Sequence, residues 1–330
     1  MDIAVFDRTE LPVVISALRT VALANGSVSE TERQLFEIIA QLHGVTLDLD
    51  ALADVPADTL RSTIATPHRR KRLVQLAVVT SMVDGDPTPA QEEAVRTLAT
   101  ALEIDERSLR VLHHLTADHR LLVRFDVARR LTGGIFKTAY EEEGLAGVGR
   151  VLGPLLLGGG EDPEVAWRYR ELGLLPAGTL GRVYWEHCTR RHFGFPGEKG
   201  GIPERLVFHD FGHVLSGYDT DAEGEIQQGA FQAGFIRQDG FAVLCFVLVH
   251  FHLGIRITPI AQAERGLFDP QRVLRALARG AACRVDLSDR WNFWEVVGLP
   301  LEEVRARYGI PPLAPLVDGA SAGRAAAPVA

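Results

Sequence analysis

Asn25-Gly26-Ser27-Val28-Ser29-Glu30-Thr31-Glu32-Arg33-Gln34-Leu35-Phe36-Glu37-Ile38-Ile39-Ala40-Gln41-Leu42 reads as a turn that opens a helix. Ser29 and Glu32 have the spacing of a capping box, in which each side chain satisfies a backbone N–H left free at the helix start. Leu35, Ile38, Ile39 and Leu42 then recur at helical spacing on one face. The pattern returns 59 positions further on, where Asp84-Gly85 matches Asn25-Gly26 and Thr88-Pro89-x-Gln91 matches Ser29-x-x-Glu32. Proline there takes the first helical position, which needs no N–H. Ala99 and Ile104 match Ala40 and Val45. Two αα-hairpins follow, over 14–45 and 73–104.

Outward from this repeat the periodicity stays helical. Residues 106–200 are predicted as helix, with Leu121, Leu122, Phe125, Ala128 and Leu131 as one apolar stripe and Arg124, Arg129 and Arg130 on the surface. Arg69-Arg70-Lys71-Arg72 is read as a solvated charge run in the connection between the hairpins. Asp84 and Asp86 are read as turn and cap residues rather than cation ligands. Gly158-Gly159-Gly160 lacks the spacing of a phosphate-binding loop and is read as a linker, and Gly194 to Gly201 as a loop. The expected fold class is all-α. A repeat module spans 1–118, a helical metal-binding domain with an apolar cavity spans 119–313, and 314–330 is a disordered tail.

Thirty-five basic against 43 acidic residues give a net charge of -8, which argues against a nucleic-acid partner. Cys188, Cys245 and Cys283 form no C-x-x-C pair, so neither a disulfide framework nor a thiolate zinc site is expected. The longest apolar run, residues 241–249, is too short for a spanning helix of about 20 residues. The start, Met1 to Asp7, shows no secretory signal. A cytoplasmic location is expected, with peripheral contact at the inner membrane face left open.

The chemistry concentrates in His209-Asp210-Phe211-Gly212-His213, followed after eleven residues by Glu225. Histidines at i and i+4 stand about 40° apart round a helix and can reach one ion. Asp210 falls about 60° from His213, placed as a ligand, a partner of a ligand or a base. Gly217 and residues 219–224 read as a turn returning a second helix near Glu225. Two imidazoles with one or two carboxylates suit zinc, iron or manganese. The bland alternative is a buried polar cluster capping helices. His250 and His252 read as satisfied helix-end histidines, and His113, His114 and His119 receive no role. Arg190, Arg191 and Lys199 are read as surface charge.

Two family resemblances rest on these residues. Residues 10–110, with Asp84-Gly85 and its weaker echo Asn25-Gly26, resemble the tellurite-resistance TerB-like family of small helical modules. Residues 120–313 resemble the coenzyme Q biosynthesis family known as protein four of that pathway. The carriers are Leu174-Leu175-Pro176-Ala177-Gly178-Thr179-Leu180-Gly181-Arg182-Val183-Tyr184, the H-D-x-x-H pattern with Glu225 eleven residues on, and Leu301 to Ile310. That resemblance implies an all-helical fold holding a divalent metal, usually zinc, on His209, Asp210, His213 and Glu225. It also implies an apolar cavity for a polyprenylated ring, and replacement of a ring carboxylate by hydroxyl or the organising of other pathway enzymes at a membrane.

The leading expectation is therefore a metal-dependent enzyme acting on a prenylated aromatic acid, with Asp210 and His213 catalytic, residues 231–235 and 241–249 walling the cavity, and a homo-oligomeric state. The second is a non-catalytic lipid-binding scaffold for biosynthetic enzymes. The third is a metal-dependent hydrolase. It is disfavoured because Asp210 is one methylene shorter than the glutamate of H-E-x-x-H and because Gly212 interrupts the helix. An HD-type phosphohydrolase would need further ligands on separate helices, and His187 and Asp289, the only distant candidates, form no recognisable spacing.

Overall fold

The computed structural model describes residues 1–131, 161–258 and 261–313. Among the described residues every element beyond two isolated bridges is helical, as expected. The first segment carries α1 (Leu11–Leu23), α2 (Glu30–Leu42), α3 (Ala57–Thr63), α4 (Pro67–Thr80), α5 (Pro89–Ala101) and α6 (Ser108–Thr116). Both capping boxes form. Glu32 N–H donates to Ser29 Oγ at 3.1 Å and Ser29 N–H to Glu32 Oε2 at 2.8 Å, while Gln91 N–H and Thr88 N–H make the matching bonds at 3.3 and 3.1 Å. The repeat persists beyond the helix ends. Val45 N–H returns to Ala40 O at 3.0 Å and Ile104 N–H to Ala99 O at 2.9 Å. Gly26 and Gly85 both take the left-handed side, at φ 104° and 124°.

Two readings of charge and face are corrected. The basic run 69–72 lies inside α4, because Thr66 caps that helix and Pro67 opens it. It is not a solvated connection. Arg69 pairs with Glu10 at 3.0 Å, Arg70 Nε donates to Ile64 O at 2.6 Å, Lys71 lies 3.8 Å from Glu106, and Arg72 is buried against Gln75. The next helix, α7, is described over residues 120–131 and turns the other way from its predicted stripe. Leu121 and Phe125 are 76% and 65% exposed, whereas Val123, Asp126 and Val127 are buried. Val123, Val127 and Arg130 share a face. Arg130 reaches Ser108 at 2.8 Å and Asp239 at 3.0 Å, so polar partners from distant segments, invisible to local periodicity, set the rotation.

The described part of residues 106–200 is helical only in pieces. α8 (Pro163–Glu171) and α9 (Leu180–Arg191) follow, and 192–203 form a loop that contains the predicted Gly194 to Gly201 stretch. The proposed linker at 158–160 and tail at 314–330 lie outside the described residues. The remaining helices are α10 (Phe208–Ser216), α11 (Ala222–Phe235), α12 (Gly240–Phe251), α13 (Pro270–Ala282) and α14 (Leu301–Tyr308).

α11 is the hub of this half. A Cβ at Gly229 would strike Val247 of α12, one at Gly234 would strike Leu277 O of α13, and one at Gly280 would strike Phe231 O. Glycine is needed at these positions for the helices to approach. α12 is apolar on every side and buried, the signature of a core helix. Phe231, Phe235 and residues 241–249 apart from Phe246 are buried. A cavity of about 580 Å³ lies between residues 284–296 and the end of α14, lined by charged groups including Arg284, Asp289 and Arg307.

The two segments touch. α2 packs on α13, with Arg275 donating to Gln41 at 3.2 Å, and the Met1 amine donates to Ala233 O at 2.7 Å. Among the described residues no helix is long and apolar enough to cross a membrane.

Candidate metal centre

Gly217, at φ 80°, stops α10 by returning its N–H to His213 O at 2.8 Å. Asp221 then caps α11, accepting from Gly224 N–H at 2.7 Å, so α11 begins at Ala222, three residues before Glu225. Arg191 braces this turn through Thr220 Oγ1 at 2.8 Å and Asp219 at 2.5 Å, a structural task for a residue read as surface charge.

The turn brings three donors together. His209 Nε2 and His213 Nε2 are 3.3 Å apart, His209 Nε2 lies 3.4 Å from Glu225 Oε2, and His213 Nε2 lies 3.3 Å from Glu225 Oε1. Metal–ligand distances of about 2.0–2.1 Å in a tetrahedron put neighbouring ligands about 3.3–3.4 Å apart, the spacing seen on all three edges. The rear of each ring is also committed. His213 Nδ1 meets Tyr218 O at 3.1 Å and His209 Nδ1 meets Gln232 Oε1 at 3.2 Å. Both acceptors favour the Nδ1–H tautomer, which leaves each Nε2 lone pair facing the common point. The donor set therefore fits a divalent cation.

Electrostatics agree. Burial disfavours the Glu225 carboxylate, yet hydrogen bonds from His209 and His213 outweigh it and leave Glu225 at about 2. Burial likewise opposes a charged His209, but the hydrogen bond and charge of Glu225 raise it to about 9. The point between these groups favours positive charge, whether a shared proton or a cation.

Asp210, half-buried on α10, is not among the residues whose donor atoms converge. Burial pushes its carboxyl above the usual range. Gly212 has a packing reason, because a Cβ there would collide with the Gln228 side-chain amide, which is buried and accepts from Ser216 Oγ at 2.8 Å. Of the distant candidates, Asp289 lines the separate charged cavity. His187 comes to the centre: its ring lies 5.8 Å from that of His213 at an interplanar angle of 27°. Burial, then Arg191 and His213, push it down to about 3.

Gln232 was missed in the sequence, although it follows Glu225 by two helical turns and so shares its face. His250 is satisfied by backbone groups at both ring nitrogens, as read, whereas His252 accepts from Phe268 N–H at Nδ1 and leaves Nε2 buried without a hydrogen-bond partner among the described residues. His113 contacts Glu92 at 3.0 Å and His114 contacts Asp126 at 3.4 Å. Asp84 accepts from Ser29 Oγ at 2.9 Å, and Asp86 pairs with Arg265 at 3.4 Å. Lys199 is exposed.

Fold and site together define an all-helical protein with a two-histidine, one-carboxylate donor set. No family model matches the chain, and no curated protein matches it. A solved structure from Nostoc punctiforme PCC 73102, provisionally called a ubiquinone biosynthesis protein, is similar over 59% of this chain and 99% of its own. The identity is 18% and the TM-score 0.33.

Proposed function

We propose that the chain is a metal-dependent protein of ubiquinone-type biosynthesis that replaces the ring carboxylate of a polyprenylated hydroxybenzoate by hydroxyl. The observation that carries this reading is the convergence of His209, His213 and Glu225 with both Nδ1 atoms tied back. The ring chemistry itself is carried by the resemblance of the H-D-x-x-H pattern and Glu225. In this reaction the ring–carboxylate bond breaks with release of carbon dioxide and a C–O bond forms at the same carbon. Dioxygen is the oxidant, and a two-electron donor completes its reduction to water. A bound divalent metal supplies Lewis acidity and, if iron or manganese rather than zinc, electron transfer. His209, His213 and Glu225 would hold the ion, and Asp210, whose carboxyl is pushed above its usual range by burial, moves a proton at the ring oxygen. The protein works as a homo-oligomer with peripheral contact at the inner membrane face.

A second reading, a non-catalytic scaffold for prenylated lipids, is favoured by the outward apolar side chains Leu121 and Phe125. Elemental analysis of purified wild type and His213→Ala, with turnover of polyprenylated 4-hydroxybenzoate followed by mass spectrometry, separates the two. The enzyme reading expects about one metal per wild-type chain, and less than about a tenth of that, with no turnover, in the variant. Metal with no turnover under dioxygen and a supplied reductant supports the scaffold, and retained turnover in His213→Ala defeats the metal mechanism.

A further inference from the structure

We infer that His187 of α9 is a ligand-contacting residue of the metal centre, its Nε2 hydrogen-bonding an anionic oxygen, carboxylate or phenolate, that binds at the open coordination position. This rests on the metal reading above and adds a group that the H-D-x-x-H pattern does not contain.

Four observations carry it. His187 is 6% exposed, and its Nε2 is buried without a hydrogen-bond partner among the described residues. A buried polar atom left unpaired is costly, so the position calls for an occupant that supplies the bond. The ring is stacked on His213, one of the three converging donors, so α9 adds a polar wall next to the ion site. The donor set selects the occupant's charge, because a divalent ion on two neutral imidazoles and one carboxylate keeps net positive charge. Three protein donors leave a tetrahedral ion one free position. A ligand oxygen there lies beside His213, the residue on whose ring His187 stacks.

The test uses the full chain loaded with cobalt(II), whose visible absorption reports its coordination, titrated with 4-hydroxybenzoate. Wild type, His187→Phe and His187→Gln are compared, the glutamine restoring a side-chain N–H near the position of Nε2. Cobalt stoichiometry and helical circular dichroism are read on each. The expected result is unchanged cobalt content in all three, with binding about tenfold weaker in His187→Phe and largely restored in His187→Gln. Equal affinity in all three variants overturns the assignment. Loss of cobalt from both variants with the fold intact also overturns it, because His187 would then hold the ion rather than the ligand. A wild-type chain that takes up no cobalt removes the metal reading itself, an outcome distinct from either.

Discussion

His250 and His252 stand near the end of α12, and each uses Nδ1 as an acceptor, from Ile257 N–H at 3.1 Å and Phe268 N–H at 3.2 Å. Protonating either Nδ1 breaks a bond that positions the loop after α12. Burial accordingly lowers both histidines below the usual value of 6.5. For a base with a lowered folded pKa, the unfolded chain binds the extra proton first. Stability is therefore full above about pH 6.5 and falls as the pH drops below it. Urea midpoints at about pH 7.5 and 5.5 should show this slope in wild type and a shallower one in His252→Gln. Identical slopes would mean that His252 contributes nothing to acid sensitivity. At this scale the sequence discloses residues whose spacing lies within one helix or its return. His209, His213 and Glu225 were legible for that reason. His187 was visible only as a distant histidine, because its approach depends on how α9 packs against α10.

Elements show the same division between local and distant causes. The capping boxes at Ser29 and Thr88 are closed within four residues, and the structure keeps them. The rotation of α7 is fixed by Arg130 reaching Asp239, a partner more than a hundred positions away, and periodicity misplaced it. The approach of α11 to α13 is likewise silent in sequence, since a glycine inside a helix reads as a defect until its neighbour is known. Gly280 faces the Phe231 carbonyl, a backbone atom that cannot swing aside. Gly280→Ala should therefore destabilise the protein by about 1–3 kcal/mol despite the better helix propensity of alanine. Gly266→Ala is not a suitable control because its φ is 74°. Gly298, with open space around it and no positive φ, is the better one. A urea midpoint for Gly280→Ala no lower than that of Gly298→Ala would show that α13 can shift without penalty.

Across the whole molecule the two segments are tied by buried polar groups as well as by apolar contact. Glu106 is 3% exposed and accepts from Gln75 Nε2 at 2.9 Å and Ser108 N–H at 3.1 Å. The guanidinium of Arg130 lies 4.0 Å from Glu106, donates to Ser108 Oγ at 2.8 Å and pairs with Asp239 at 3.0 Å. Asp239 is itself the cap of α12, accepting from Ala242 N–H at 3.3 Å. One side chain thus couples the end of the repeat module to the start of the core helix behind the metal centre. Replacing Arg130 with methionine keeps much of its apolar stem and strands Glu106 with fewer cationic neighbours. Breaking a buried pair in this way costs about 3–5 kcal/mol, and the value here belongs toward about 3 kcal/mol because Asp239 is 39% exposed and partly screened. If the coupling is as tight as these contacts require, calorimetry of the full chain gives one transition, and Arg130→Met lowers it as a unit. Two transitions in the wild type, with the variant shifting only one, would instead make the repeat module and the segment bearing His209, His213 and Glu225 independent folding units joined by a weak interface.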